Sequence, residues 1–234
     1  MSTGGAVTVE VISATRLSQS EFFAKSALAA SLKRLLPSPQ IAHLPRAVNY
    51  IAMIAFENRQ PLAEVYNSRI RAPDEDAILL FVHDDVWIED VFLGQRLKDA
   101  LSNYDVVGLA GNRRPSKGIT TWGQDERSKL SGSVAHGSSP MGSVVYYGET
   151  PAECELLDGV FLAARRSVLR ARDVLFDPRF QFHFYDLDFC RTARQKGLRL
   201  GTWPISITHQ STGPRGEAWQ AQSRLYLDKW KDAG

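Results

Sequence analysis

The amino-acid sequence predicts an α/β fold: a single domain with a mostly parallel central sheet flanked by helices. Strand-like and helix-like segments alternate through the first half of the chain, which is typical of such sheets. Within that half, residues 77–82 (AILLFV) form a continuous apolar run, which indicates a strand buried on both faces. The 234 residues contain no linker-like stretch, so we expect one domain rather than two.

The first half of the chain is predicted to form four strands and three helices. Alternating β-branched residues indicate the first strand, and Ser18 and Ser20 are candidate N-caps of the first helix. Pro61 fits the start of the second helix, where its missing N–H costs little. In chain order we predict a strand at 7–13, a helix up to residue 36, a strand at 47–56, a helix at 62–70, a strand at 77–82, a helix at 88–101 and a strand at 105–110.

The second half begins with a stretch of different character. Residues 111–150 are rich in Gly, Ser, Pro and charged residues, and we predict a flexible active-site loop with a short strand at 143–147. Beyond it, the patterns predict a strand that turns into a short helix at 155–168, a helix at 186–196 that Gly197 ends, a strand at 198–208 and a C-terminal helix at 219–230.

Composition and charge exclude several classes of function. The 28 basic and 26 acidic residues lack the strongly basic balance of a nucleic-acid-binding domain. No apolar run approaches the roughly 18 residues of a membrane-spanning helix, although contact with a membrane surface is compatible with the sequence. The N-terminus has no signal-peptide pattern, and Cys154 and Cys190 fit a reducing compartment as small buried residues. We therefore expect a soluble, cytoplasmic protein.

The strongest chemical signal follows the apolar run, at His83-Asp84-Asp85. Ligands of open α/β sheets bind outside the carboxyl ends of the strands. Two adjacent carboxylates are costly to desolvate there, and a divalent cation such as Mn²⁺ or Mg²⁺, which favours oxygen ligands, removes that cost. Alternatively, Asp84 and Asp85 cap the following helix. The triplet fits both interpretations.

Two further strand and helix ends carry polar residues. His209 follows the last predicted strand and is a candidate metal ligand, or a histidine with an ordinary structural partner. Asp186 and Asp188 lie at the start of a predicted helix, where acids often complement the helix dipole. Asp186 is also placed to act as a general base in a cleft, whereas Asp188 fits a structural or orienting role.

Residues in two other segments are candidates for substrate contact. Asp158 and Gly159 interrupt an otherwise apolar strand, and such a glycine often marks the close approach of a ligand or another backbone. Trp122, in the irregular stretch, is either a stacking platform for a sugar or an anchor of the loop.

Several common motifs are missing from the sequence. It has neither the glycine-rich phosphate loop with its lysine nor the dinucleotide-binding glycine fingerprint. It also has no Gly-x-Ser-x-Gly nucleophile elbow, and neither cysteine has the spacing of a zinc site.

Taken together, four motifs resemble those of GT-A glycosyltransferases, in particular family-2-like bacterial enzymes of a subgroup with FVHxDV and HFYD motifs. In chain order they are FVHDDV (81–86), LLDGVF (156–161), HFYDLD (183–188) and ITHQSTG (207–213). One feature departs from the family pattern: His83 stands where the family has its first aspartate. Asp85 aligns with the second aspartate.

The resemblance implies transfer of a sugar from a nucleotide-diphosphate donor to a glycan, lipid-linked or protein acceptor. Residues 1–110 then form the nucleotide-sugar-binding half, 151–213 the acceptor and catalytic half, and 214–234 a C-terminal helix. Asp186 would be the base of an inverting reaction. The resemblance implies that Asp85 and His209 bind Mn²⁺ or Mg²⁺. The residues implied to bind the donor nucleotide sugar are His83, Asp84, Asp85 and Arg16. Those implied to bind the acceptor are Trp122, Asp158, Gly159 and Asp188.

Two alternative functions also fit these residues. A metal-dependent nucleotidyl or phosphoryl transferase would use the same carboxylates, although the turn after its first strand is normally rich in Gly, Lys or Arg. Here that turn is Ala-Thr-Arg-Leu (14–17), without glycine. A catalytically silent sugar- or nucleotide-binding domain is the other alternative, because the first aspartate is missing.

Overall fold

The computed structural model describes residues 6–36, 47–210 and 216–231, so residues 211–213 of the ITHQSTG motif lie outside the described residues. Its helices are α1 (Gln19–Lys25), α2 (Ala27–Leu35), α3 (Leu62–Arg71), α4 (Leu93–Ala100), α5 (Arg166–Ala171), α6 (Tyr185–Gln195) and α7 (Glu217–Lys229). Its strands are β1 (Val7–Ala14), β2 (Val48–Ala55), β3 (Ile78–Val82), β4 (Val86–Ile88), β5 (Val106–Gly108), β6 (Ala110–Asn112), β7 (Leu130–His136), β8 (Ser143–Gly148), β9 (Ala152–Cys154), β10 (Leu156–Leu157), β11 (Phe161–Arg165), β12 (Leu200–Thr202) and β13 (Ile207–His209).

The predicted α/β fold with a central sheet flanked by helices is confirmed, but the main sheet is mixed rather than mostly parallel. Its strand order is β2-β1-β3-β11-β5-β12-β9. Strand β1 is parallel to β2 and β3, but β11 runs antiparallel to both β3 and β5. The reason is that β11 enters the sheet at the edge where β3 ends, since Phe161 lies opposite Val82, and so it must run in the reverse direction.

A second sheet occupies much of the stretch predicted as an irregular loop. Its order is β10-β6-β7-β13-β4, and β8 pairs with β7. Residues 130–136 and 143–148 therefore form an antiparallel pair of strands, which includes the strand expected at 143–147. Within that stretch, residues 113–126, 137–142 and 149–150 have neither helix nor sheet pairing. The sequence of β7, LSGSVAH, only weakly favours a strand, because several of its residues are small or polar. Pairing with the neighbouring strands therefore determines that this segment forms a strand.

Three predicted elements are each interrupted in the structure. The first helix divides into α1 and α2 at Ser26, which is extended and caps α2 with its hydroxyl. Ser18 caps α1 in a capping box with Glu21. The helix predicted at 88–101 begins only at Leu93, because residues 86–88 form β4. The strand predicted at 198–208 is two strands, β12 in the main sheet and β13 in the second.

Strand β3 lies at the centre of the core, as its apolar sequence predicts. All five of its residues are buried. Leu79 and Phe81 pack on the side of α3, α5 and α6, whereas Ile78, Leu80 and Val82 pack on the side of α2 and α4. Cys154 and Cys190 are free and buried. None of the described helices is long and apolar enough to cross a membrane.

Candidate active site

The site is built where the main sheet passes into the second sheet. His83, Asp84 and Asp85 connect β3 to β4, so the acidic pair is followed by a strand and not by the helix it was expected to cap. Strand β13 pairs antiparallel with β4, with His209 opposite Val86, and the Gln210 N–H donates to the Asp85 carbonyl at 3.0 Å. This pairing brings His209 Nε2 to 3.4 Å from Asp85 Oδ1.

His83, Asp85 and His209 form a candidate metal site. Each offers one ligand atom, and these atoms lie within 4.8 Å of one another. Two ligands that share one ion, each at about 2.1 Å, lie at most roughly 4 Å apart, so small side-chain rotations would suffice. Burial lowers the pKa of His83, which keeps its imidazole neutral, as a metal ligand must be. The donor set therefore fits a divalent cation.

Tyr185 orients the imidazole of His83. The Tyr185 hydroxyl donates to the Gly159 carbonyl at 2.9 Å, and its oxygen lies 2.8 Å from His83 Nε2. A tyrosine hydroxyl has a single proton, so the second hydrogen bond must be donated by the imidazole. Neutral His83 therefore carries its proton on Nε2, which leaves the lone pair of Nδ1 for a ligand.

Asp186 lies in the first turn of α6, close to Gly159. Phe184, the residue that precedes this helix, has a left-handed backbone with φ of 64°, an uncommon conformation for a bulky residue. The Gly159 N–H donates to Asp186 Oδ2 at 2.9 Å. A Cβ at Gly159 would lie 2.5 Å from the Tyr185 hydroxyl, so only glycine fits. The close approach predicted for this glycine is therefore to the start of α6.

The electrostatic environment of Asp186 raises the pKa of its carboxyl to about 7. Burial is the main cause, and the negative charge of Asp158 adds to it. Hydrogen bonds from backbone N–H groups, including that of Gly159, act in the opposite direction. A carboxyl with this pKa changes protonation state near neutral pH, which suits a group that exchanges a proton with a substrate.

A cavity of about 610 Å³ connects these groups, a volume in the usual range for ligand sites. Four of the five histidines of the chain line it, together with Asp158, Gly159 and Asp186. The aromatic lining residues are Trp122, Tyr147, Phe182, Phe184, Tyr185 and Trp219.

Comparison with known protein families agrees with this arrangement. Residues 39–222 match the model of a glycosyltransferase-like family. The chain belongs to this family. The match includes β3, the cavity-lining residues and most of the two sheets. A search of curated proteins finds no match.

Solved structures extend the family assignment to the GT-A fold. GalNAc-T7, solved with UDP, GalNAc and Mn²⁺, superposes with a TM-score of 0.57 over 98% of this chain at 11% identity. S. aureus TarS superposes with a TM-score of 0.50 over 95% of this chain at 12% identity. The chain spans 49% of the GalNAc-T7 structure and 39% of the TarS structure. At these identities the likeness is one of fold.

Within the family fold, four predicted site residues lie outside the cavity lining: Asp85, which belongs to the candidate metal site, and Arg16, Asp84 and Asp188. Arg16 is exposed and donates to the Asn58 carbonyl at 2.7 Å. The Asp84 carbonyl accepts from the Ser26 hydroxyl at 2.6 Å, which fastens the end of β3 to α2. Asp188 is fully buried, and its carboxylate binds Trp230 Nε1 at 2.9 Å and Lys229 Nζ at 2.7 Å. Asp188 therefore holds α7 in place, which supports the structural role and not the acceptor contact.

The structure also adds cavity residues that the sequence analysis missed. His136, at the end of β7, pairs in parallel register with His209, and their ring centroids are 5.7 Å apart. Tyr147 packs edge-on against Trp122 with ring centroids 4.8 Å apart. His136 ends a strand that the sequence did not predict, so no strand end was available there to flag it. Tyr147 ends the strand predicted at 143–147, but the sequence around it contains no motif that pointed to a site.

Proposed function

We propose that this chain is a metal-dependent glycosyltransferase that moves a sugar from a nucleotide-diphosphate donor to an acceptor hydroxyl. One observation carries the proposal: the same cavity is lined by His83 and His209, two members of a His-Asp-His cluster that fits a divalent cation, and by Asp186, a carboxyl with a pKa of about 7. Family membership and the UDP and Mn²⁺ in the GalNAc-T7 structure support it.

In this proposal Asp85 and His209, with His83 as a third ligand, hold Mn²⁺ or Mg²⁺ on the donor side of the cavity. A bound cation of this kind would neutralise the charge that develops on the departing diphosphate. Tyr185 keeps His83 in the tautomer that can ligate, and the ladder between β4 and β13 fixes the separation of Asp85 and His209. Arg16 and Asp84 lie outside the cavity lining, and their contact with the donor stays a prediction.

Asp186 accepts the proton of the acceptor hydroxyl. The acceptor oxygen then forms a new bond to the anomeric carbon while the bond from that carbon to the diphosphate oxygen breaks, and its electron pair leaves with the nucleotide diphosphate. Attack on the face opposite the leaving group inverts the anomeric configuration. Asp158, Gly159 and Trp122 border the acceptor side of the cavity.

A donor screen tests this proposal. Purified protein is incubated with UDP-, GDP-, ADP- and dTDP-sugars, or with plain nucleoside triphosphates, in the presence of Mn²⁺, Mg²⁺ or a chelator, and nucleotide release is measured. We expect release from at least one sugar nucleotide that the chelator abolishes. Asp85→Ala and His209→Ala should abolish it too, whereas Asp173→Asn, an exposed aspartate far from the cavity, should not.

Two results would contradict the proposal. Release that is insensitive to the chelator would remove the metal from it. Turnover of nucleoside triphosphates but of no sugar nucleotide would indicate a phosphoryl or nucleotidyl transferase instead.

A further inference from the structure

The charges of the chain are distributed unevenly around the cavity. Of the 28 lysines and arginines in the sequence, none belongs to the described residues that line it. We propose that the acceptor is an uncharged saccharide, bound between the aromatic walls of the cavity, and not a phosphorylated or otherwise anionic molecule. This inference rests on the proposed function, because it names the class of acceptor that the same cavity takes.

The electrostatics of the cavity oppose an anionic acceptor. Asp158 and Asp186 are the carboxylates of its wall, and both would repel a phosphate. No lysine or arginine among the described lining residues offsets these two carboxylates. The charge of a bound metal ion would be neutralised by the donor diphosphate. A phosphate on the acceptor would therefore have no cationic partner among the described lining residues.

The same cavity offers neutral hydrogen-bonding groups that lack partners. Thr121 Oγ1 and His136 Nδ1 are buried and make no hydrogen bond to other described residues. Both residues line the cavity, and Gln124 adds an uncharged amide. Buried polar atoms are nearly always paired, so these atoms indicate a ligand that donates and accepts hydrogen bonds. Saccharide hydroxyls do both and carry no charge.

Aromatic side chains provide the apolar part of the site. Phe182 is 51% exposed and stacks on His83 with ring centroids 5.9 Å apart, and Trp219 packs against Phe184. With Trp122 and Tyr147 they place apolar faces on the cavity wall. The C–H faces of a pyranose ring can be buried against such faces, while the ring hydroxyls reach the polar groups.

Cations of the neighbouring segment face elsewhere. Arg113, Arg114 and Lys129 flank the residues that supply Thr121 and Trp122, yet they line a separate groove of about 540 Å³, together with Arg194. The two cavities share no lining residue. Arg113, Arg114 and Lys129 therefore line the groove, whereas Thr121 and Trp122 line the cavity that also contains Asp186.

Binding without a donor tests the inference directly. Neutral oligosaccharides and their matched 6-phosphates are titrated against the metal-free protein, so that no unmatched cation attracts the phosphates, and binding is measured by saturation-transfer NMR and tryptophan fluorescence. We expect the neutral partner of at least one pair to bind at least about tenfold more tightly. Equal or tighter binding of the phosphates, or no binding of any neutral saccharide, would overturn the inference.

A charge-introducing variant sharpens the test. Thr121→Lys should improve binding of the 6-phosphates about tenfold, whereas Thr121→Met, which is similar in length but neutral, should not. An unchanged preference in Thr121→Lys would contradict the placement of the acceptor beside Thr121. The donor screen separates the two proposals: donor turnover with phosphorylated acceptors preferred overturns only this inference, whereas neutral-saccharide binding without donor turnover overturns only the proposed transferase activity.

Discussion

Charged side chains are buried at both ends of β3, but their surroundings differ. At the Ile78 end the Arg166 N–H donates to the carbonyl of Ala77, and the Arg166 guanidinium binds the Glu10 carboxylate at 2.5 Å. At the Val82 end, about 13 Å along the strand, lie His83 and Asp85. Both ends are anchored in the same apolar core, so the core alone does not explain the difference.

At the Ile78 end every charge is paired. Glu10 accepts from Arg166 and, at 3.1 Å, from Arg69. Arg166, of which 1% is exposed, also donates to the carbonyls of Arg69 and Glu75. A buried ion network with all its partners present holds β1, α3 and α5 in one arrangement, and it has no group left to bind a ligand.

At the Val82 end the surroundings of the buried carboxylates are different. Burial raises the pKa values of both Asp84 and Asp186, and the lining residues that the structure describes include no Lys or Arg. In this protein, buried charges that are paired with each other therefore have a structural role. A buried carboxylate such as Asp186, with no Lys or Arg in the described cavity lining, is instead a candidate for catalysis. This comparison can be tested at each end.

The largest effect is expected from Asp186→Asn. Loss of the proton acceptor should lower turnover by roughly two to four orders of magnitude, with donor affinity largely kept. Steady-state nucleotide release in the presence of acceptor, and calorimetric titration of the donor, measure the two quantities. Asp188→Asn, two residues along the same helix, is the matched control, because its carboxylate faces α7; its turnover should stay within a few-fold. Near-normal turnover in Asp186→Asn would refute the base assignment.

At the Ile78 end of β3 we expect a large effect on stability and none on catalysis. Arg166→Met leaves Glu10 buried with one partner fewer, so the free energy of unfolding should fall by about 3 kcal/mol. Urea denaturation measures the change, and Arg172→Met, an exposed arginine beyond α5, should have little effect. The double variant Glu10→Met/Arg166→Met should regain much of the loss. Mn²⁺ affinity of the folded protein should be unchanged; a tenfold decrease would show that the two ends are coupled.

The sequence predicts the Val82 end well because local signals coincide there. An apolar run that ends in His83-Asp84-Asp85 identifies a buried strand and its polar end, and Gly159 indicates a crowded position, where the structure has the side chains of Tyr185 and Asp186. These features need only a strand end, a helix start and a small residue. The mixed strand direction of the main sheet could not be predicted in this way. It depends on where β11 enters the sheet, and no local sequence pattern shows that.

Long-range pairing and side-chain direction could not be predicted. His136 joins the cavity only because β7 lies beside β13, and its segment has no periodicity of its own. Asp186 and Asp188 have similar sequence surroundings, but residues two apart on a helix do not face the same side. One therefore faces the cavity and the other faces α7, a choice fixed by the packing of Trp230.

A smaller effect is expected in the pH dependence of stability of the metal-free protein. The pKa of Asp186 is about 7 in the folded state and near 3.8 in the unfolded chain. The folded state therefore binds an extra proton between these values, so its contribution to stability is full below pH 4 and is lost as the pH rises to about 7. Asp186→Asn should be more stable than wild type above pH 7, by on the order of 1–3 kcal/mol, with no such gain at pH 4. Thermal unfolding across this range measures the difference, and parallel curves would contradict the raised pKa.

The smallest effect is expected from Tyr185→Phe, which tests how His83 is held in place at the Val82 end of β3. Tyr185→Phe removes the hydroxyl that accepts from His83 Nε2, so the imidazole loses the bond that fixes its orientation and tautomer. Loss of such a supporting bond typically weakens metal binding by about tenfold or more, so we expect about tenfold weaker Mn²⁺ binding in calorimetry. Tyr66→Phe is the control, since that ring packs 6.0 Å from the ring of Tyr185 but does not bind His83. Equal Mn²⁺ affinity in both variants would exclude His83 as an oriented ligand and leave Asp85 and His209 as the protein ligands of the ion.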